Sequence, residues 1–352
     1  MFDINLEYTS VALFGLLGGL MLGLAARLGR FCTLGAIEDY LYGGSDLRLR
    51  MWGIAIGMAV FGSFALMSSG LLQAESTYYL SIRWMPLASI LGGLLFGYGM
   101  ALSGNCGYGA LARLGGGDFR AFVIVVIMGV SAYAVLSGPL AFLRVQAFPQ
   151  AEVINTTPPG FAHLLHSWTG LPVAGLGIGI GALVALGALA SGAMLSARKE
   201  IFWSVVVGLA ITSGWAGSYW VASQSFTPMP MVSHSFSAPV GEALLYAMTG
   251  SARALSFGVG SVAGVALGAF IGSLIKGHFR WEACEDPREL RRQILGAVLM
   301  GAGAVLALGC TIGQGLSAFS MLAYSAPLVF AAIFAGAALG LRQLIEGFQP
   351  AE

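Results

Sequence analysis

Apolar residues in this chain come in long, nearly unbroken runs, and polar residues are confined to the gaps between them. Nine runs stand out, roughly 8–28, 49–72, 86–105, 121–143, 172–196, 201–223, 255–276, 293–309 and 325–342. About 20 apolar residues cover the bilayer core as a helix, so each run predicts a transmembrane helix, the eighth a short one. Two connections are long and irregular. Residues 144–171 hold Pro149, Pro158 and Pro159 before the amphipathic FAHLLHSW, and 224–254 hold Pro228, Pro230 and Pro239 before GEALLYAMTG. Each predicts a short interfacial helix feeding a span, with Trp168 and Tyr246 at headgroup level. The polar stretch KGHFRWEACEDPRELRRQ predicts a surface-exposed connection.

The runs also repeat. Residues 90–112 read ILGGLLFGYGMALSGNCGYGALA, and 294–316, shifted by 204, read ILGAVLMGAGAVLALGCTIGQGL, with Cys310 falling on Cys106. Shifted by 74 the other way, GLLGGLMLGLAARLGRFCTLGA places Cys32 on Cys106. The common unit is a glycine-ridged apolar run ending in a cysteine, with a glycine three positions later. Internal repeats constrain architecture more than any single motif.

Composition narrows the class. The chain has 352 residues, 57% hydrophobic and 9% charged, with a mean hydropathy of +0.82. Soluble domains carry about 25% charged residues, so an integral membrane protein is expected. The 52 glycines follow no collagen-like period and suit close helix packing. A net charge of +1 with no basic block gives nucleic-acid binding no electrostatic basis. Four cysteines without paired spacing suggest neither a disulfide scaffold nor a zinc site. The start, MFDINLEYTS, lacks the basic residues of a cleavable signal. With the N terminus outside and the C terminus inside, fourteen Lys and Arg fall on inner connections, leaving only Arg83, Arg144 and Arg253 outside. This is the positive-inside pattern.

In that topology the third and eighth spans deliver Cys106 and Cys310 from opposite faces. Matching segments of opposite direction signal inverted repeats, with a substrate site between them formed by broken helices. The expectation is an all-α polytopic membrane protein, with about nine transmembrane helices and broken or re-entrant short helices. Residues 1–150 form its first half and 151–352 its second, inverted half, within one integral membrane domain.

The cysteine segments carry the candidate chemistry. Gly104, Gly107 and Gly109, like Gly309, Gly313 and Gly315, each cost about 1 kcal/mol in a helix interior. They permit a break followed by a short helix, whose free N–H groups and positive dipole end face the cavity. A thiol in an apolar site stays neutral by desolvation, and a neutral S–H is a weak donor suited to a soft, polarizable anion. Three such thiols along one path suit a sulfur-bearing oxyanion, with Arg113 the one cation in the Cys106 and Cys310 loops. The predicted binding and translocation residues are Cys32, Thr33 and Gly35; Gly104, Asn105, Cys106, Gly107 and Gly109; and Gly309, Cys310, Thr311, Gly313, Gln314 and Gly315. No metal, cofactor or catalytic residue is expected.

Other features have plainer readings. Cys284 lies outside the repeat in a polar loop and is incidental. His163 and His166 beside Trp168 read as interfacial. Glu38 and Asp39 read as a wetted inner rim, and Asp118 and Arg120 as inner-surface anchors. The Asn155-Thr156-Thr157 sequon carries no functional weight. A second reading of the cysteines is a membrane thiol oxidoreductase or sulfur relay, against which stands the absence of Cys-x-x-Cys.

Three segments carry a family resemblance. ALGCTIGQGLSA (307–318), GNCGYGALARLGGGDFRA (104–121) and GRFCTLGAIEDYL (29–41) together resemble the YeeE/YedE family of bacterial and archaeal inner-membrane sulfur-transport proteins. Length and repeat layout extend the resemblance over essentially the whole chain. It implies an hourglass-shaped, pseudo-symmetric permease for uptake of thiosulfate or a close sulfur or selenium anion. In such a permease Cys32, Cys106 and Cys310 pass the ion inward through S–H hydrogen bonds. It also implies a cytoplasmic TusA-like sulfur-carrier partner. Two positions depart from the family pattern: Gln314 stands where histidine is common, and Gly107 lacks the hydroxyl of Thr33 and Thr311.

Overall fold

The computed structural model describes residues 2–149, 157–225, 229–283 and 286–347. Cys284 and residues 155 and 156 of the sequon lie outside them. Among the described residues there is no strand, only three isolated bridges. The helices are α1 (Phe2–Leu28), α2 (Thr33–Leu41), α3 (Leu47–Ser68), α4 (Tyr78–Ser81), α5 (Pro86–Ser103), α6 (Gly107–Leu114), α7 (Phe119–Leu136) and α8 (Ala141–Ala147). They continue with α9 (Phe161–Thr169), α10 (Val173–Leu189), α11 (Gly192–Ser196), α12 (Arg198–Gln224), α13 (Ala238–Thr249), α14 (Phe257–Ile275), α15 (Pro287–Leu306) and α16 (Ser325–Glu346). In a bilayer every backbone polar group must be satisfied internally, and continuous apolar helices do this.

The chain is a multi-pass helical membrane protein. Each of the nine expected spans coincides with a long helix, and seven segments among the described residues are long and apolar enough to cross a membrane. The two others differ for visible reasons. α10 has only 17 residues. α15 starts earlier than expected, at Pro287 behind the Asp286 cap, and so includes Arg288, Glu289, Arg291 and Arg292. The expected interfacial helices correspond to α9 and α13.

Glycine ridges bring the helices together and fix their relative directions. A Cβ at Gly92 would meet Ala307 N at 2.4 Å, and one at Gly99 would meet Gly296 O at 2.5 Å, so α5 and α15 are antiparallel. The corresponding contacts make α16 parallel to α5, with Gly93 against Val329 and Gly340 against Ala101. They also make α1 parallel to α14, with Gly15 against Phe257 and Gly23 against Val265. With α10 antiparallel to α3 and α12 parallel to it, successive long helices alternate in direction. The ends of the bundle therefore differ: α1, α14 and α16 begin at the end where α7 and α15 finish.

Candidate functional site

All three repeat segments fold the same way. The long helix ends, the residue two before the cysteine turns left-handed, and the cysteine then stands at the start of a short helix. The left-handed residues are Arg30 (φ 54°), Gly104 (φ 73°) and Leu308 (φ 58°). Two of the three carry side chains in a region that costs about 1–2 kcal/mol for a non-glycine residue. Cys32 caps α2 and Cys106 caps α6. Cys310 directly precedes a helical run over 311–320, whose Gly313–Ala318 portion is π-helical. Such π turns recur at functional sites.

The two deepest short helices leave the centre in opposite directions. α6 ends where a Cβ at Gly116 would meet the Arg27 guanidinium, at the far end of α1. The run after Cys310 ends at Leu322 and Ala323, against Phe161 and Gly160. Their N-terminal ends converge. Cys106 lies within electrostatic reach of both Cys32 and Cys310, and Thr311 lies beside its thiol.

The sulfur atoms are held to different degrees. Cys310 Sγ accepts hydrogen bonds from Phe236 N at 3.2 Å and Gly313 N at 3.4 Å, with Ser235 Oγ at 3.7 Å. Cys106 Sγ accepts one, from Gly109 N at 3.4 Å. Cys32 makes no capping bond and is half-buried, whereas Cys106 and Cys310 are buried. A sulfur that accepts backbone N–H groups leaves its own S–H free to donate.

Sequence reasoning missed the segment that joins these loops, Ser233–Ser237. Phe236 N reaches Cys310, and a Cβ at Gly107 would come within 2.8 Å of Phe236 O. A single residue thus bridges the Cys106 and Cys310 segments, and the missing side chain at Gly107 makes room for it. Three hydrogen bonds pin the segment. Ser233 Oγ donates to Ile211 O at 2.8 Å, His234 Nδ1 pairs with Ser261 Oγ at 2.6 Å, and Ser317 Oγ donates to His234 O at 2.7 Å. The available signal was the polar pentapeptide SHSFS between Pro230 and Pro239, in a chain otherwise poor in polar runs.

A cavity of about 540 Å³ opens from one end of the bundle onto this segment. Ser235, Ser237, Tyr79, Leu308 and Gly309 line it near Cys310, and its upper wall comes from Tyr8, Tyr133, Ser256 and Glu242. Glu242 is its one charged lining residue among the described residues.

Several buried polar atoms here lack hydrogen-bond partners: Thr33 Oγ1, Asn105 Oδ1 and Ser237 Oγ. Leaving such a group unpaired costs about 1–3 kcal/mol, so each of these atoms keeps hydrogen-bonding capacity to spare.

Other predicted residues are structural in this arrangement. Gln314 spends both ends of its amide on the protein, donating to Ala307 O at 2.8 Å and accepting from Ser325 Oγ at 3.1 Å. A Cβ at Gly315 would meet Phe330 at 2.9 Å and Trp52 at 3.1 Å, on an aromatic wall. Gly109 lies within contact distance of Asn105 and Cys106 Sγ, and Gly313 lies against Ser235 and Tyr79. Arg113 is not the sole cation near the path. A Cβ at Gly35 would be 2.5 Å from Arg48 Nη1, and Arg48 pairs with Asp39 at 3.2 Å. Around the same end, Lys276 is held below its ordinary pKa by desolvation and then by Lys199, Arg30 and Arg27.

The profile of the family described as Sulphur transport matches residues 28–339, which contain all three cysteine segments. The chain is 28% identical to the thiosulfate transporter TsuA of Escherichia coli K12 over 356 residues, covering 90% of this chain and 89% of that protein. It is likewise 28% identical to the thiosulfate transporter TsuA of Spirochaeta thermophila over 324 residues, covering 88% and 92%.

Proposed function

Because this chain belongs to the Sulphur transport family, we propose that it is a permease that carries thiosulfate, or a close sulfur-containing anion, across the membrane. The observation that carries this reading is the convergence of three repeat-equivalent cysteine caps below a serine-lined cavity. The names of its relatives support thiosulfate first among substrates.

The cavity is the outer vestibule, and the ion moves inward past Cys310, then Cys106, then Cys32. Residues 1–150 and 151–352 act as inverted halves around this path, with the N terminus outside and the C terminus in the cytoplasm of a bacterial or archaeal cell. The antiparallel α5 and α15 and the opposed short helices support that arrangement. Short-helix N–H groups hold the oxygens. Neutral thiols, those of Cys106 and Cys310 with their sulfurs engaged by backbone N–H groups, donate S–H to the soft terminal sulfur. No bond forms or breaks, so the protein is not an enzyme in this reading. The cationic rim at Arg48, Arg30 and Lys276 draws the anion out on the inner side, where the sequence resemblance implies a TusA-like sulfur carrier.

The decisive experiment is growth on thiosulfate of a cell lacking its own sulfate and thiosulfate importers. Cells with the intact chain should grow, and Cys106→Ala at equal membrane abundance should abolish growth. Failure of the intact, correctly inserted chain would overturn the proposal.

A further inference from the structure

We infer that Ser235 and Ser237 form, with a Cys310 whose sulfur is held by Phe236 N–H, an outer subsite in which the hydroxyls recognise the oxygens of a sulfur oxyanion while the thiol recognises its sulfur. The inference rests on the transport reading above and deepens it by assigning the residues that set substrate preference.

Ser237 is 2% exposed, lines the cavity, and its hydroxyl has no hydrogen-bond partner. It occupies the cap position of the 12-residue α13 yet makes no side-chain capping bond. Its hydroxyl and the free N–H groups of the first turn of α13 are therefore both available to one acceptor. Ser235 lines the same cavity at 3.7 Å from Cys310 Sγ, and Phe236 N–H already points at that sulfur from 3.2 Å. Oxygen-seeking hydroxyls and a sulfur-seeking thiol thus stand side by side. An anion with both kinds of terminal atom satisfies the whole set, whereas an all-oxygen anion such as sulfate leaves the thiol poorly matched.

Two further features fit a binding device. The segment is anchored to α12, α14 and the π-helical run by the bonds of Ser233, His234 and Ser317, so its donors are pre-positioned. Glu242, the one lining carboxylate among the described residues, lies against the first turn of α14: a Cβ at Gly258 would stand 2.8 Å from Glu242 Oε2. Its charge therefore rests on the start of α14, which offsets it, and the start of α13 is left for the ligand.

The test is uptake of radiolabelled thiosulfate into inside-in vesicles carrying the intact chain, Ser235→Ala, Ser237→Ala, the double variant, and Ser237→Thr. Loss of hydrogen bonds to a charged ligand predicts a half-saturation about tenfold higher in the double variant. Ser237→Thr, which keeps the hydroxyl, should recover most of it. A second assay reads binding without transport: iodoacetamide alkylation of Cys310 in a chain whose other cysteines are alanine, with and without millimolar thiosulfate. Thiosulfate should slow alkylation, sulfate should not, and the double serine substitution should remove the protection. Protection without uptake would sink the transport reading and keep the subsite. A double variant that keeps the intact half-saturation within twofold, or protection that survives both substitutions, overturns the subsite.

Discussion

The Cys310 and Cys32 ends of the path are built from one repeat unit, and they have become chemical opposites. At the Cys310 end the sulfur is buried and accepts two backbone N–H groups, and the cavity above it has serine and tyrosine hydroxyls but, among the described residues, no cation. At the Cys32 end the sulfur is half-exposed and uncapped, with Arg48, Arg30 and Lys276 close by. The backbone device is the same at both, a left-handed residue two positions ahead of a cysteine cap. The lesson is that the repeat supplies geometry alone, while neighbours from other elements supply the electrostatics. Hydroxyls and a buried sulfur mark one end, and cations such as Arg48, which pairs with Asp39, mark the other.

The largest expected effect comes from exchanging thiol for hydroxyl at each end. Cys310→Ser should lower thiosulfate uptake more than tenfold, because two N–H groups and a buried site are tuned to sulfur. Cys32→Ser should lower it only a few-fold, because its surroundings are open and charged. Equal losses would break the contrast. Alkylation sharpens it: in a chain retaining either cysteine alone, Cys32 should react with iodoacetamide about ten times faster than Cys310, since thiol reactivity follows exposure. Arg48→Gln comes next. It removes a guanidinium from beside Gly35 and should cut maximal uptake about two- to threefold at low ionic strength, with half-saturation little changed. Raising the salt should shrink the difference, as screening requires. The smallest effect concerns the shared backbone. Gly104→Ala forces a side chain into the left-handed conformation that Arg30 and Leu308 already bear, and should lower stability by about 1 kcal/mol, read as a drop of a few degrees in Tm.

Much of the architecture was legible in the one-dimensional pattern. Runs of apolar residues specify membrane helices because unpaired backbone is excluded from lipid, and each of the nine runs lies on a long helix. The exception in boundary, α15, is instructive. Its first turns carry Arg288, Arg291 and Arg292, which hydropathy reads as loop, yet Pro287 and the Asp286 cap start the helix there. Helix starts answer to capping, which hydropathy does not measure.

The candidate site was legible only where it repeats. Cys32, Cys106 and Cys310 announce themselves by register, and so do their glycines. Ser235, Phe236 and Ser237 do not, because they occur once, in a connection with no counterpart to align. Gln314 has surroundings that the motif does not reveal. Its place in the motif suggests contact with the anion, but Ala307 and Ser325 occupy both ends of its amide.

The sequence by itself determined that this chain is a helical membrane protein, where its long helices run, and which three thiols are equivalent. These are consequences of local hydrophobicity and local repetition, which need no knowledge of distant residues. Only the tertiary structure decided that the Cys106 and Cys310 segments meet across Phe236, that Glu242 is the one charged residue lining the cavity among the described residues, and that Arg48 stands over Gly35. Those facts depend on close helix approaches, such as Gly92 against Ala307. Such contacts join residues far apart in the chain, and no local pattern encodes which of many glycine ridges will pair.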